Sequence, residues 1–172
     1  MAGYFLLLLA AAAAEPSIKD LGWMIGDWTF RDVATEAAGF DYEERGTRSC
    51  GWAMPSAYIR CESQGGTTGK PRTYVMYINY NAAAKRFEMV SMWSNHPPKT
   101  VHFGEIAKGG RELTLRLSQP TKDDRGILKD QWALVRFDGK STWTWESGER
   151  LGDAPADGPV RFRDVATRKA AY

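Results

Sequence analysis

The sequence predicts an all-β fold: a closed antiparallel up-and-down barrel of about ten strands, preceded by a short N-terminal helix. Three observations carry this. Short runs rich in Val, Ile, Thr, Tyr, Phe and Trp recur along the chain, with turn residues between them. After the first two dozen residues the pattern is strands and turns throughout, with no repeat, interior linker or second domain. Where turns are readable, folding about them gathers large apolar side chains on one face. Ten short strands in sequence fit a meander closed on itself, because closure leaves no exposed edge.

The chain opens on a leader. Tyr4 to Leu9 is apolar, and Ala12 and Ala14 form a small-x-small cleavage site ahead of Glu15. Residues 1–14 are therefore read as a signal peptide and 15–172 as one domain, in a periplasmic or secreted protein. The leader lacks the usual Lys or Arg, so an apolar N-terminus on a cytosolic protein stays as the alternative. The run is too short to span a bilayer, and no later segment is apolar enough to be a membrane helix. Pro16 to Met24 then reads as a short helix with Gly26 beyond its end.

Candidate strands follow near residues 28–33, 41–52, 58–62, 73–80, 87–93, 100–107, 112–117, 128–137, 141–147 and 160–167. The expected turns are Pro55-Ser56, Gly65-Gly66, Asn81 to Lys85, Pro97-Pro98, Gly109-Gly110, Asp138-Gly139 and Gly152 to Gly158. Pro55-Ser56 suits a type I turn. A hairpin about it sets Cys50 opposite Cys61 and Trp52 opposite Ile59, close enough for a disulfide. Closing so short a loop contributes about 2–3 kcal/mol in the chain-entropy model.

Register assigns faces. Gly109-Gly110 pairs Ile106 with Leu113, Gly104 with Leu115 and His102 with Leu117, which points His102 inward. Asp138-Gly139, read as a two-residue turn, pairs Leu134 with Trp143 and Trp132 with Trp145. The hairpin at Asn81 to Lys85 places Met76, Ile78, Met89, Ser91 and Trp93 inside. Trp52, Trp93, Trp132, Trp143 and Trp145, joined by Trp28, are thus expected to converge on one interior.

Gly26-Asp27-Trp28, opening the first strand after a helical segment, resembles the Gly-x-Trp signature of calycins. That superfamily includes the lipocalins, the fatty-acid-binding proteins and the haem-binding nitrobindins. With Leu21 to Trp28, Cys50-Gly51-Trp52, Cys61, the Tyr80 turn and Ser141 to Trp145, the chain resembles a group of small exported bacterial calycin-like domains of unknown function. The resemblance implies a ten-stranded barrel whose Trp28 ring closes one end beneath an Arg from a late strand, for which Arg161 and Arg163 are the candidates. It also implies a ligand cavity, and no particular activity. Nitrobindins hold haem through a late-strand His, and this chain has no His after His102, so that ligation does not carry over.

Composition narrows the function. Lys and Arg total 23 against 21 Asp and Glu, for a net charge of +2. The charges are scattered, which argues against a nucleic-acid surface. No nucleophile elbow, phosphate loop, dinucleotide fingerprint or zinc-protease motif occurs. Two His and two bridged Cys leave no structural zinc set, and Asp123-Asp124 lacks the spacing of a calcium loop. No cofactor is expected.

The candidate ligand-binding residues are Trp93, His102, Trp132, Trp143, Trp145, Glu44 and Arg48. The tryptophans would form apolar walls. His102, and a Glu44–Arg48 pair on the inner face of the second strand, would supply polar contacts. Competing readings stand beside each. Six rings, each burying ~150–250 Å², also suffice to fill a barrel. Glu44 and Arg48 could sit solvated at a mouth, and His102 could be a satisfied core residue, while His96 falls in a loop. The expected function is binding of a small apolar or amphipathic ligand. The alternatives are a filled barrel acting on a protein partner, or an enzyme using His102 as acid or base.

Overall fold

The computed structural model describes residues 15–107, 109–122, 128–151 and 157–170. The leader, Asp123-Asp124 and most of the Gly152 to Gly158 turn lie outside the described residues. A 3-10 helix at Ile18–Met24 precedes β1 (Gly26–Ala34), β2 (Glu43–Ala53), β3 (Tyr58–Thr67), β4 (Lys70–Asn81), β5 (Arg86–Trp93) and β6 (His96–Ile106). There follow β7 (Glu112–Leu117), β8 (Thr121–Lys122), β9 (Leu128–Phe137), β10 (Thr142–Leu151) and β11 (Phe162–Arg168). Each strand pairs antiparallel with its neighbour, β11 returns to β1, and β9 pairs with both β7 and β10. Ten strands close the barrel as expected, while β8 pairs only with the start of β9.

Two hairpins have the predicted register. Cys50 faces Cys61 and Trp52 faces Ile59, and the disulfide is formed. Ile106, Gly104 and His102 face Leu113, Leu115 and Leu117. Met76 and Ile78 likewise face Ser91 and Met89.

Four turn assignments change. Ala57 N–H bonds to the Met54 carbonyl at 3.1 Å with Ser56 at φ +64°, and a positive φ there marks a type II turn rather than type I. Gly65-Gly66 is not a turn: both pair within β3 and β4, and the chain reverses between Thr67 and Lys70. Pro97-Pro98 lies in β6, because the reversal comes earlier, between Trp93 and His96. The Asp138-Gly139 turn is wider than two residues. Asp138 Oδ1 accepts the N–H groups of Lys140, Ser141 and Thr142 at 2.7–3.0 Å, an Asx-type closure that moves the register. Trp143 therefore faces Phe137 and Trp145 faces Val135. An odd shift reverses the alternation of β9 relative to β10, so Leu134 shares a side with the exposed Arg136, while Trp132 stays buried.

Trp52 does not join the interior either. It is 41% exposed, standing past the barrel end and flanking Gly22 of the helix. Trp28, Phe87, Leu113, Leu115, Ile59, Ile78, Met89 and Trp143 fill one half of the barrel, capped by Leu21 and Met24 of the 3-10 helix. Trp28 Nε1–H donates to the Met24 carbonyl at 2.9 Å. Its ring meets Trp143 edge-on at 6.0 Å. The arginine over Trp28 is Arg168, at 4.2 Å from the ring centre, and neither Arg161 nor Arg163. Strand alternation decides this: β11 runs to Arg168, which pairs with Trp28, whereas Arg161 and Arg163 bond Glu149 and Glu146. Arg168 also donates to the Ile25 and Trp23 carbonyls at 2.9 and 3.0 Å.

Candidate functional site

The half of the barrel away from the helix is not filled. Alternation along β1 turns Trp28, Phe30 and Asp32 inward, and the register then carries Asp32 to Asp164 on β11 and to Glu44 on β2. Trp145 on β10 faces Asp164 in turn. One row across four strands thus holds a tryptophan and three carboxylates.

Around that row lies a cavity of about 230 Å³, with walls that include Phe30, Tyr74, Trp93, Trp143, Trp145 and Phe162. Asp32, Arg48 and Asp164, with Ser63, Ser91 and Ser147, contribute polar groups to it. A second lobe of about 160 Å³ shares Ser91, Trp93, Trp145, Ser147 and Phe162 with the first and extends to Met89, His102 and Trp132. Trp93 and Trp145 therefore border both lobes, Trp143 and Arg48 the first, and His102 and Trp132 the second. Glu44 lines neither, although it stands in register with Asp32 on the neighbouring strand.

The charges are ordered in two sets. Glu44 is 1% exposed. Its Oε2 accepts the hydroxyls of Tyr42 and Tyr74 and the Arg72 guanidinium, and Arg72 lies 5.5 and 5.0 Å from the two tyrosine ring centres. Burial pushes the Glu44 carboxyl up, against the pull of the Tyr74 hydroxyl and the Gly66 N–H. The missing side chain at Gly65 makes room for this carboxylate: a Cβ there would stand 2.4 Å from Oε1. In the second set, Arg48 donates to Ser63 Oγ at 2.9 Å and to Asp164 Oδ2 at 2.5 Å. Its guanidinium is sandwiched 4.8 Å from the Phe30 ring and 4.7 Å from Trp143. The inward placement expected of Glu44 and Arg48 is what the barrel has, but each pairs with a different partner rather than with the other.

Asp32 belongs to neither set. It makes no hydrogen bond or ion pair among the described residues. Burial, and then the charges of Asp164 and Glu44, push its carboxyl up to about 7, with Arg48 and Arg72 opposing. His102 is buried, and burial lowers it to about 4 despite the nearby Asp130 charge, so it is neutral at pH 7. Its Nδ1 has no hydrogen-bond partner among the described residues, and Asp130 Oδ2 is engaged by Arg150 at 2.8 Å. An acid–base dyad on His102 is thus not assembled among the described residues. Chemically, the first lobe offers aromatic faces, one guanidinium and two carboxylates.

Asp32, Asp164, Ser63, Tyr74 and Phe162 are site residues that the sequence reading did not single out. The signal for Asp32 was present in the alternation Trp28-x-Phe30-x-Asp32. For Asp164 and Phe162 none was available without the register of the last strand, which no short turn connects to β10. The described residues contain no group of three or more potential metal ligands, and no described helix is long and apolar enough to cross a membrane. No protein-family model matches the sequence, and no curated protein is similar to it by sequence.

Proposed function

We propose that this chain is a periplasmic or secreted calycin-type barrel that binds a small, partly apolar ligand in its tryptophan-walled half. One observation carries the reading. Three residues of the first lobe, Arg48, Trp143 and Asp164, each hold a buried polar atom (Nη1, Nε1 and Oδ1) with no hydrogen-bond partner among the described residues. Native interiors pair nearly all such atoms, so three around one cavity favour a site completed by something bound there. The two lobes together reach the low end of the size range of small-molecule sites, roughly 300–1,000 Å³. The disulfide supports placement outside a reducing cytosol.

Native mass spectrometry on the chain exported to a bacterial periplasm tests this. The expected result is an added mass that disappears on denaturation. Ser91→Phe, which intrudes on the wall shared by both lobes, should abolish retention in a protein that still folds. Equal retention by that variant would place the ligand elsewhere. A bare mass, with no uptake of added aromatic amines or alcohols, would favour the partner-binding alternative, for which Trp52 and Met54 at the exposed β2–β3 tip are the candidate surface.

A further inference from the structure

Resting on that binding reading, we infer that the ligand carries a compact positive charge, a protonated amine or similar organic cation, held between Asp32, Asp164 and the rings of the first lobe. The charge balance of the walls points this way. Among the described residues that line the lobe, Asp32 and Asp164 face one cation, Arg48. The charged groups that act on Asp32 are Asp164 from β11, Glu44 and Arg48 from β2, and Arg72 from β4. Arg72 is drawn to Glu44 and the two tyrosines, and Arg48 to Asp164 and Ser63. Asp32 feels both arginines at a distance, but among the described residues it has no ion-pair partner of its own.

A second, independent feature is Asp164. It is 9% exposed, it lines the lobe, and its Oδ1 has no hydrogen-bond partner among the described residues, while Oδ2 is bonded to Arg48. Two oxygen-bearing groups on adjacent strands, facing each other in register, make an acceptor pair for an ammonium N–H. Trp93, Trp145 and Phe162 contribute aromatic walls to the same lobe, and aromatic faces attract desolvated cations. An anionic ligand would meet Arg48 but also both carboxylates, at a cost that burial enlarges. The elevated Asp32 carboxyl fits the same picture, because an arriving cation supplies the partner that lets it ionise.

Calorimetric titration of the intact, disulfide-bonded chain with phenethylamine, phenethyl alcohol and phenylacetate decides the matter. At pH 8 the amine should bind at least about tenfold more tightly than the alcohol, and phenylacetate most weakly. Since only ionised Asp32 is competent and its carboxyl titrates near 7, amine affinity should fall about tenfold from pH 8 to pH 6, with the alcohol unaffected. Asp32→Asn should remove both the amine preference and this pH dependence while retaining the alcohol. If that variant fails to fold, the pH dependence of the unaltered chain decides alone. Alcohol binding as tight as amine binding, or phenylacetate preferred, would overturn the cation inference and leave the binding reading intact. No binding by any of the three would overturn both.

Discussion

Half-buried Asp32 and buried His102 are two titratable side chains whose desolvation acts on stability with opposite sign. The folded Asp32 carboxyl titrates near 7 against an ordinary value near 3.8. The folded state therefore holds a proton that the unfolded chain releases, and stability is lost as pH rises from about 4 to 7. His102 titrates near 4 against 6.5, so the unfolded chain takes up a proton that the fold refuses, and stability is lost as pH falls from 6.5 toward 4. The two slopes oppose each other in that window, at up to ~1.4 kcal/mol per pH unit each. Urea unfolding should show Asp32→Asn more stable than the parent at pH 8 by a few kcal/mol, with the difference vanishing near pH 4. His102→Leu should flatten the acid limb instead. A parent-like pH profile in both variants would remove the account of these residues. Arg168 is a further residue whose role is specific: its fork bonds two carbonyls and covers Trp28. Arg168→Lys should lower stability by about 1–3 kcal/mol, read as a fall in Tm with the fold retained.

At the level of elements, hairpins were legible where the loop length is fixed and illegible where a side chain reshapes the loop. Gly109-Gly110 and the cysteine hairpin keep the expected registers, the second although its turn is type II rather than type I. At Asp138-Gly139 the carboxylate bonds three successive N–H groups, a local competition that favours a wider loop. That three-residue shift moved Leu134 out of register with Trp143. Prolines misled at 97–98 because proline is tolerated at a strand's beginning as well as in turns, and β6 begins there. The β2–β3 hairpin is the element with a covalent tie. Cys50→Ser with Cys61→Ser should cost about 2–3 kcal/mol, measured by urea midpoint. An unchanged midpoint would show that the neighbouring pairings hold the hairpin without the bridge.

Over the whole molecule, the architecture could be read because alternation and turns constrain a meander tightly, and closure follows from strand number. The filling of the interior could not. Whether six tryptophans pack a barrel or wall a cavity depends on volumes set by tilt and register, and the chain uses both solutions. Trp28 and Trp143 meet in the packed half, while Trp93 and Trp145 border the open half, with Trp143 where the two meet. The carboxylate row also needed the closure of β11 onto β1, a pairing between strands far apart in sequence.

The central claim is that the interior, not the outer surface, receives the ligand, and indole N–H resonances report on it directly. With the tryptophan signals assigned by substitution, phenethylamine is titrated into isotope-labelled protein. The indoles of Trp93, Trp143 and Trp145 should shift together with one saturation curve, while that of Trp52 at the exposed hairpin tip stays in place. Shifts confined to Trp52, or no saturable shift at any of the three interior rings, would contradict the account.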